Sequence, residues 1–99
     1  MLFAVRFTDV ADALPIRKAH HDAHMAWLAE NASAIVAAGP LRSGSADSTP
    51  VGALWIIQAE DFAAAQALIA NDPFMKNGLR ASTEILQWSK GFPQTPSQI

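Results

Sequence analysis

Ala53-Leu54-Trp55-Ile56-Ile57-Gln58 is the stretch whose reading decides the fold. Aliphatic and aromatic residues over so short a run read as a strand. Successive strand side chains point to opposite faces, so Leu54 and Ile56 share one face and Trp55 and Ile57 the other. Apolar residues at both parities imply that both faces of the sheet are covered.

The surrounding elements follow outward from this strand. Leu2 to Thr8 alternates, with Phe3, Val5 and Phe7 on one side and Ala4, Arg6 and Thr8 on the other, which is a strand pattern. Pro15 suits a first helical turn, and good helix formers run from there to about Asn31. Ile16, Ala19, Ala23, Ala26 and Trp27 form the apolar stripe expected to face inward, which leaves the histidines at the rim of the core. Ser33 to Ala38 reads as a short strand stopped by Gly39-Pro40, and Leu41 to Pro50 as a polar surface loop. Asp61 is placed to cap a helix through Ala70 that buries Phe62, Ala65, Leu68 and Ile69. Asn71-Asp72-Pro73 ends that helix, because a residue before proline avoids the helical region. Phe74 to Leu79 adds one turn, broken by Gly78, and Ser82 to Trp88 is the last strand. Residues 91–99 form an irregular tail, available to lie across a neighbour.

The order is β-α-β-β-α-β, the split βαβ of the ferredoxin-like fold, in the α+β class. It gives a four-stranded antiparallel sheet with two helices on one face. The apolar third and fourth strands then need a cover for the other face. The sheet of a second copy is the simplest one, so the chain is expected to form a homodimer, a dimeric α/β barrel, with higher assembly left open.

Ninety-nine residues make one domain, 1–99. A domain of this size hides only about 65% of the surface its unfolded chain exposes, so a partner subunit would help. The absence of cysteine excludes disulfides and thiolate catalysis and fits a cytoplasmic location. A net charge of −2 gives no general attraction to phosphate backbones, so no nucleic-acid partner is expected. No apolar run approaches the roughly 18 residues of a membrane span, and the start carries no leader pattern. There is no phosphate-binding glycine loop and no Gly-x-Ser-x-Gly elbow.

Chemistry concentrates in Arg17-Lys18-Ala19-His20-His21-Asp22-Ala23-His24, which holds all three histidines of the chain. At about 100° per residue, Arg17, His21 and His24 share one narrow strip, with His20 on its shoulder. His24 can exchange a proton near neutrality, and a carboxylate on its far nitrogen would fix the tautomer and stabilise the imidazolium. Asp72, at the break after the second helix, is the candidate carboxylate. The plainer alternatives are a rim histidine with an ordinary hydrogen bond and an aspartate that merely starts a turn. Arg17, about two turns before His24, has donors suited to a carboxylate, enolate or phenolate oxygen. Asp9 could pair with Arg17 and aim it, or the two could form a surface pair of little consequence. His20 and His24 also stand at a metal-binding spacing, with Asp72 as a third ligand. The glutamate of the zinc-protease motif is missing, however, and Arg17 would repel a cation, so no metal is expected.

Arg17, His24-Met25-Ala26-Trp27-Leu28, Ala38-Gly39-Pro40-Leu41, Ala64-Ala65, Asp72-Pro73-Phe74 and Gly78, in this order and spacing, resemble the YCII-related (YciI-like) family over nearly the whole chain. The resemblance implies a dimeric ferredoxin-like α/β barrel and a His–Asp pair as active site, here His24 and Asp72. It also implies cofactor-free chemistry, including dehydrochlorination of a chlorinated hydroxyquinol. More distant relatives of the same barrel include muconolactone isomerases and small monooxygenases. Met25 stands where leucine is usual, and His20, His21, Arg17 and Asp9 are not marks of the family.

The expectation is a cofactor-independent lyase or isomerase acting on a small aromatic or enolisable substrate. His24 and Asp72 are its catalytic pair, with Arg17, Asp9, His20, His21 and Pro73 around the substrate. The alternative is a non-catalytic dimeric module that binds a small molecule or assists other enzymes. A haem- or oxygen-using barrel is the third reading. A His24–Asp72 bond facing a concave, partly apolar cavity favours the enzyme, and the same pair on flat surface favours the binder.

Overall fold

The computed structural model describes residues 1–94; the last part of the tail, residues 95–99, lies outside the described residues. The elements are β1 (Leu2–Asp9), α1 (Leu14–Glu30), β2 (Ile35–Leu41), β3 (Gly52–Gln58), α2 (Phe62–Ile69), α3 (Pro73–Lys76) and β4 (Arg80–Trp88). The strands form one antiparallel sheet in the order β2-β3-β1-β4. This is the ferredoxin-like α+β arrangement read from the strand and helix order.

Alternation along β1 and β3 builds the core. Phe3, Val5 and Phe7 of β1 and Ala53, Trp55 and Ile57 of β3 are buried beneath Ala65 and Ile69 of α2, with Trp27 and Leu28 of α1 packed against them. Phe7 and Trp55 meet edge to face with centroids 4.7 Å apart, a geometry aromatic pairs prefer. Asp61 caps α2 by accepting from the Ala64 amide at 2.8 Å. Gly78 takes φ +77° after α3, a conformation that side-chain-bearing residues adopt only at a cost. Gly52 lets β1 and β3 approach, since a Cβ there would sit 2.0 Å from the Phe7 carbonyl oxygen.

The opposite face carries the other parity. Ala4 lies between Ile56 and Leu86, and Arg6 between Leu54 and Glu84, with the Arg6–Glu84 pair at 2.8 Å. Leu54 is 45% exposed and Leu86 54%, so no element among the described residues covers this apolar surface.

Four local expectations are corrected. Phe62 opens α2 at the margin of the core, so it is 48% exposed rather than buried and meets the Phe3 ring edge-on with centroids 6.4 Å apart. The inward face of α1 is not the alanine stripe: Ala19, Ala23 and Ala26 are exposed. His24 is buried instead, flanked by the half-buried Ile16, Arg17, His20, Trp27 and Leu28. An alanine methyl gains little by burial, whereas the longer side chains find area and polar partners across the interface. Next, β2 does not stop at Gly39-Pro40 but continues through them to Leu41. β2 is an edge strand, and an edge has N–H positions without a neighbour where proline removes no ladder bond. Finally, Asp9 ends β1 rather than lying in a connector, at a shift in register between Thr8 and Asp9.

Candidate active site

α1 and the α2–α3 junction converge on His24. Its Nδ1 lies 2.6 Å from Asp72 Oδ1, with the aspartate side chain fully buried and the imidazole 10% exposed. A carboxylate oxygen accepts, so Nδ1 carries the proton of the neutral ring and Nε2 is left to exchange one. Asp72 is held by its own backbone role. It is the N-cap of α3, its Oδ1 also accepts from the Phe74 amide at 3.2 Å, and Pro73 fixes the first helical position. Phe74 then stacks on the imidazole at 4.1 Å with an 18° tilt, and Trp55 flanks it at 5.9 Å. Ring orientation is thus set on one side by a carboxylate and on the others by aromatic walls. Asp72 Oδ2 is buried without a hydrogen-bond partner among the described residues, so the His24 bond carries most of the compensation for this carboxylate.

A second cluster stands at the N-terminal end of α1. Asp9 Oδ2 accepts from Arg17 Nε at 2.9 Å and lies 2.8 Å from Nη2 in the same ion pair, and its Oδ1 accepts from Arg80 Nη1 at 2.8 Å. Arg17 also donates to the Gly52 carbonyl at 3.2 Å, so it is fastened to both strands of the sheet centre. This is not a surface pair: the Asp9 and Arg80 side chains are each 2% exposed. Arg80 had no place among the residues expected at the site. Its guanidinium lies over the rings of Phe7 at 4.4 Å and Phe74 at 5.4 Å, and its Nε has no hydrogen-bond partner among the described residues. Burial, the largest influence, pulls its pKa below the ordinary arginine value against the opposing pull of Asp9. Nothing local in the sequence marks this residue, since its partner Asp9 is 71 positions away.

Arg17, His21 and His24 line one cavity of about 360 Å³ with Arg80, Trp55 and Phe74. Its walls are largely apolar, with Leu14, Met25 and Leu28 from α1 facing Ala38 and Pro40 from β2. Asp9 and Asp72 stand behind the wall as partners of its cations and its histidine. His20 and Pro73 do not line the cavity: His20 is half-buried on α1, and Pro73 acts on the backbone of Asp72. Among the described residues no three histidine or carboxylate side chains converge as metal ligands, and His20, His24 and Asp72 form no such group. No helix among them is long and apolar enough to cross a membrane.

The fold is thus a small ferredoxin-like α+β domain with a buried His24–Asp72 pair at the wall of an apolar, cation-lined cavity. The chain belongs to the YCII-related domain family, whose model matches residues 1–89. Among solved structures it is similar to 5-chloro-2-hydroxyhydroquinone dehydrochlorinase (TftG) from Burkholderia phenoliruptrix AC1100, in complex with 2,5-dihydroxybenzoquinone. That match has a TM-score of 0.81 and 32% identity over 92% of this chain and 96% of the other. An uncharacterized NIPSNAP domain protein from Burkholderia xenovorans shares the fold alone, at TM-score 0.51 and 17% identity over 96% and 100% of the two chains. Protein Atu4242 from Agrobacterium tumefaciens does likewise, at TM-score 0.54 and 14% identity over 95% and 98%. No curated protein matches the chain significantly.

Proposed function

We propose that this chain is a cofactor-independent lyase or isomerase acting on a small hydroxylated aromatic or enolisable substrate, and that it works as a cytoplasmic homodimer. The observation that carries this reading is the 2.6 Å His24–Asp72 bond at the wall of a concave apolar cavity. A flat site would have favoured a binding module. The 32% identity to a dehydrochlorinase over almost the whole chain supports the reaction class.

In this reading His24 takes a hydroxyl proton from the ring while Asp72 holds the imidazolium. The electron pair moves into the ring, and the carbon bearing chlorine takes the proton back from His24. Chloride then leaves with its bonding pair as a second hydroxyl loses its proton, and a quinone remains. The balance is loss of one proton and one chloride; the two carbons that become carbonyls are oxidised by two electrons in all, and the chlorine-bearing carbon is reduced by two as carbon–chlorine is exchanged for carbon–hydrogen, so no outside oxidant is needed. Arg17, aimed by Asp9, steadies the oxyanion that forms at the start. Arg80 is a positioning residue, acting through the second oxygen of Asp9. His21 borders the substrate from the cavity wall, and His20 and Pro73 support α1 and Asp72 from behind. General acid–base help of this kind supplies roughly 10²–10⁴-fold.

The homodimer rests on the apolar sheet face around Leu54, Ile56 and Leu86, which the chain's own helices leave open. Absorbance assays with 5-chloro-2-hydroxyhydroquinone and related halogenated hydroquinones test the reaction. Turnover that falls at least 10²-fold in His24→Ala is the expected result. An active protein whose His24→Ala variant keeps its full rate overturns the assignment.

A further inference from the structure

The cavity has a charge pattern that one oxyanion does not use. Of the seven lysines and arginines in the chain, four line it: Arg17, Lys18, Arg42 and Arg80. None of the nine acidic side chains does. A chain of net charge −2 has thus gathered most of its cations around one void.

The four do not stand alike. Arg17 and Arg80 are spoken for at the inner end, both by Asp9. Lys18 and Arg42 are exposed at the mouth and form no ion pair among the described residues. Arg42 is nonetheless fixed in place, because its Nε donates to the Ser48 carbonyl at 2.8 Å across the loop that follows β2. That bond leaves the terminal guanidinium nitrogens for a ligand. Ser48 is itself tied to the Ser45 carbonyl at 2.7 Å, so the loop presents the guanidinium from a closed turn. The same cavity is lined by Leu14, Met25, Leu28 and Trp55, which suit a carbon frame and not a hydrated inorganic ion.

We propose that Lys18 and Arg42 form a second anion subsite at the mouth, and that the ligand is a small aromatic or enolic dianion spanning the cavity. One charge meets Arg17 beside His24, and the other meets Lys18 and Arg42. The idea rests on the acid–base reading of the same cavity, and it narrows the substrate to one with two ionised groups on a flat apolar frame. Uncompensated cations around a low-dielectric wall favour the doubly charged form of such a ligand and speed its capture.

Calorimetric titration of the intact protein separates this subsite from catalysis. The probes are 2,5-dihydroxybenzoquinone, a dianion in neutral solution, and its monomethyl ether, which keeps the ring and loses one charge. The wild type is expected to bind the dianion at least tenfold more tightly than the ether. In the Lys18→Gln/Arg42→Gln variant that preference is expected to shrink to less than threefold, and the dependence of dianion binding on salt to flatten. An undiminished preference in the variant overturns the proposal. So does equal binding of both probes by the wild type, binding of neither, or displacement of the dianion by an equal concentration of inorganic phosphate. Loss of turnover in His24→Ala bears only on proton transfer, so the two readings fail separately.

Discussion

Asp9→Ala is the sharpest test of how the inner end of the site is held together. The substitution removes one carboxylate but unpairs two guanidiniums. Arg17 keeps some solvent, with 15% of its side chain exposed, and retains the Gly52 carbonyl. Arg80 keeps neither: its side chain is 2% exposed, and Asp9 is the acceptor of the hydrogen bond it makes to a side chain. Removing one partner of a buried pair costs about 3–5 kcal/mol, because the remaining charge stays out of water. For a domain of this size each kcal/mol moves the melting temperature by roughly 4–8 °C, so a drop of at least about 12 °C is expected. Arg80→Met in the same background should restore most of the loss, since an apolar chain of similar length fills the slot between Phe7 and Phe74 without a charge. Circular dichroism melts and urea titrations at one fixed protein concentration measure both steps. A destabilisation under about 1 kcal/mol, or a double variant no more stable than the single one, would refute the reasoning. Stability should not vary with Arg80 ionisation near neutral pH. Its folded pKa lies below the unfolded one, so the unfolded chain binds that proton more tightly and stability rises with pH only in the alkaline interval between the two.

Asp72→Asn keeps an oxygen able to accept from the Phe74 amide, so α3 should survive, while the imidazolium loses its counter-charge; a fall in kcat with folding intact checks the orienting role, and unchanged kcat would remove it. On the proposed homodimer, Leu54→Glu places a carboxylate on the open sheet face, so light scattering should show dimer for the wild type and monomer for the variant; a variant still dimeric at micromolar concentration would place the interface elsewhere. Gly52→Ala forces a methyl against the Phe7 carbonyl, and a loss of about 1–3 kcal/mol in denaturant titration is expected from overpacking.

The open sheet face and the dianion subsite bear on each other. Sheet-to-sheet association would bury Leu54, Ile56 and Leu86 and leave the helical side, where the cavity opens between α1 and β2, facing away from that contact. Substitutions on the sheet should therefore change assembly more than they change ligand affinity, and substitutions at Lys18 and Arg42 the reverse.

Much of this protein is local information. Alternation in Leu2–Thr8, the two-sided apolar run Ala53–Gln58, the Asp61 cap and the Asp72-Pro73 break lie within a few residues of the structure they specify, so element order and sheet class were legible from the chain alone. His24, Asp72, Arg17 and Asp9 were identifiable as chemically capable groups for the same reason. The inward face of α1 was not legible. Helical periodicity ranks side chains by their own apolarity and so selected Ala19, Ala23 and Ala26. The fold ranks them by what they meet, and His24 meets Asp72, Phe74 and Trp55. Arg80 was hidden on the same ground, because a buried guanidinium is tolerable only where a carboxylate from the far end of the chain and two aromatic rings close around it. Sequence by itself determined which elements form and which groups can carry chemistry, because those depend on neighbours along the chain. Only the tertiary structure decided which of them share a cavity, because desolvation and pairing are settled between residues that the chain order keeps far apart.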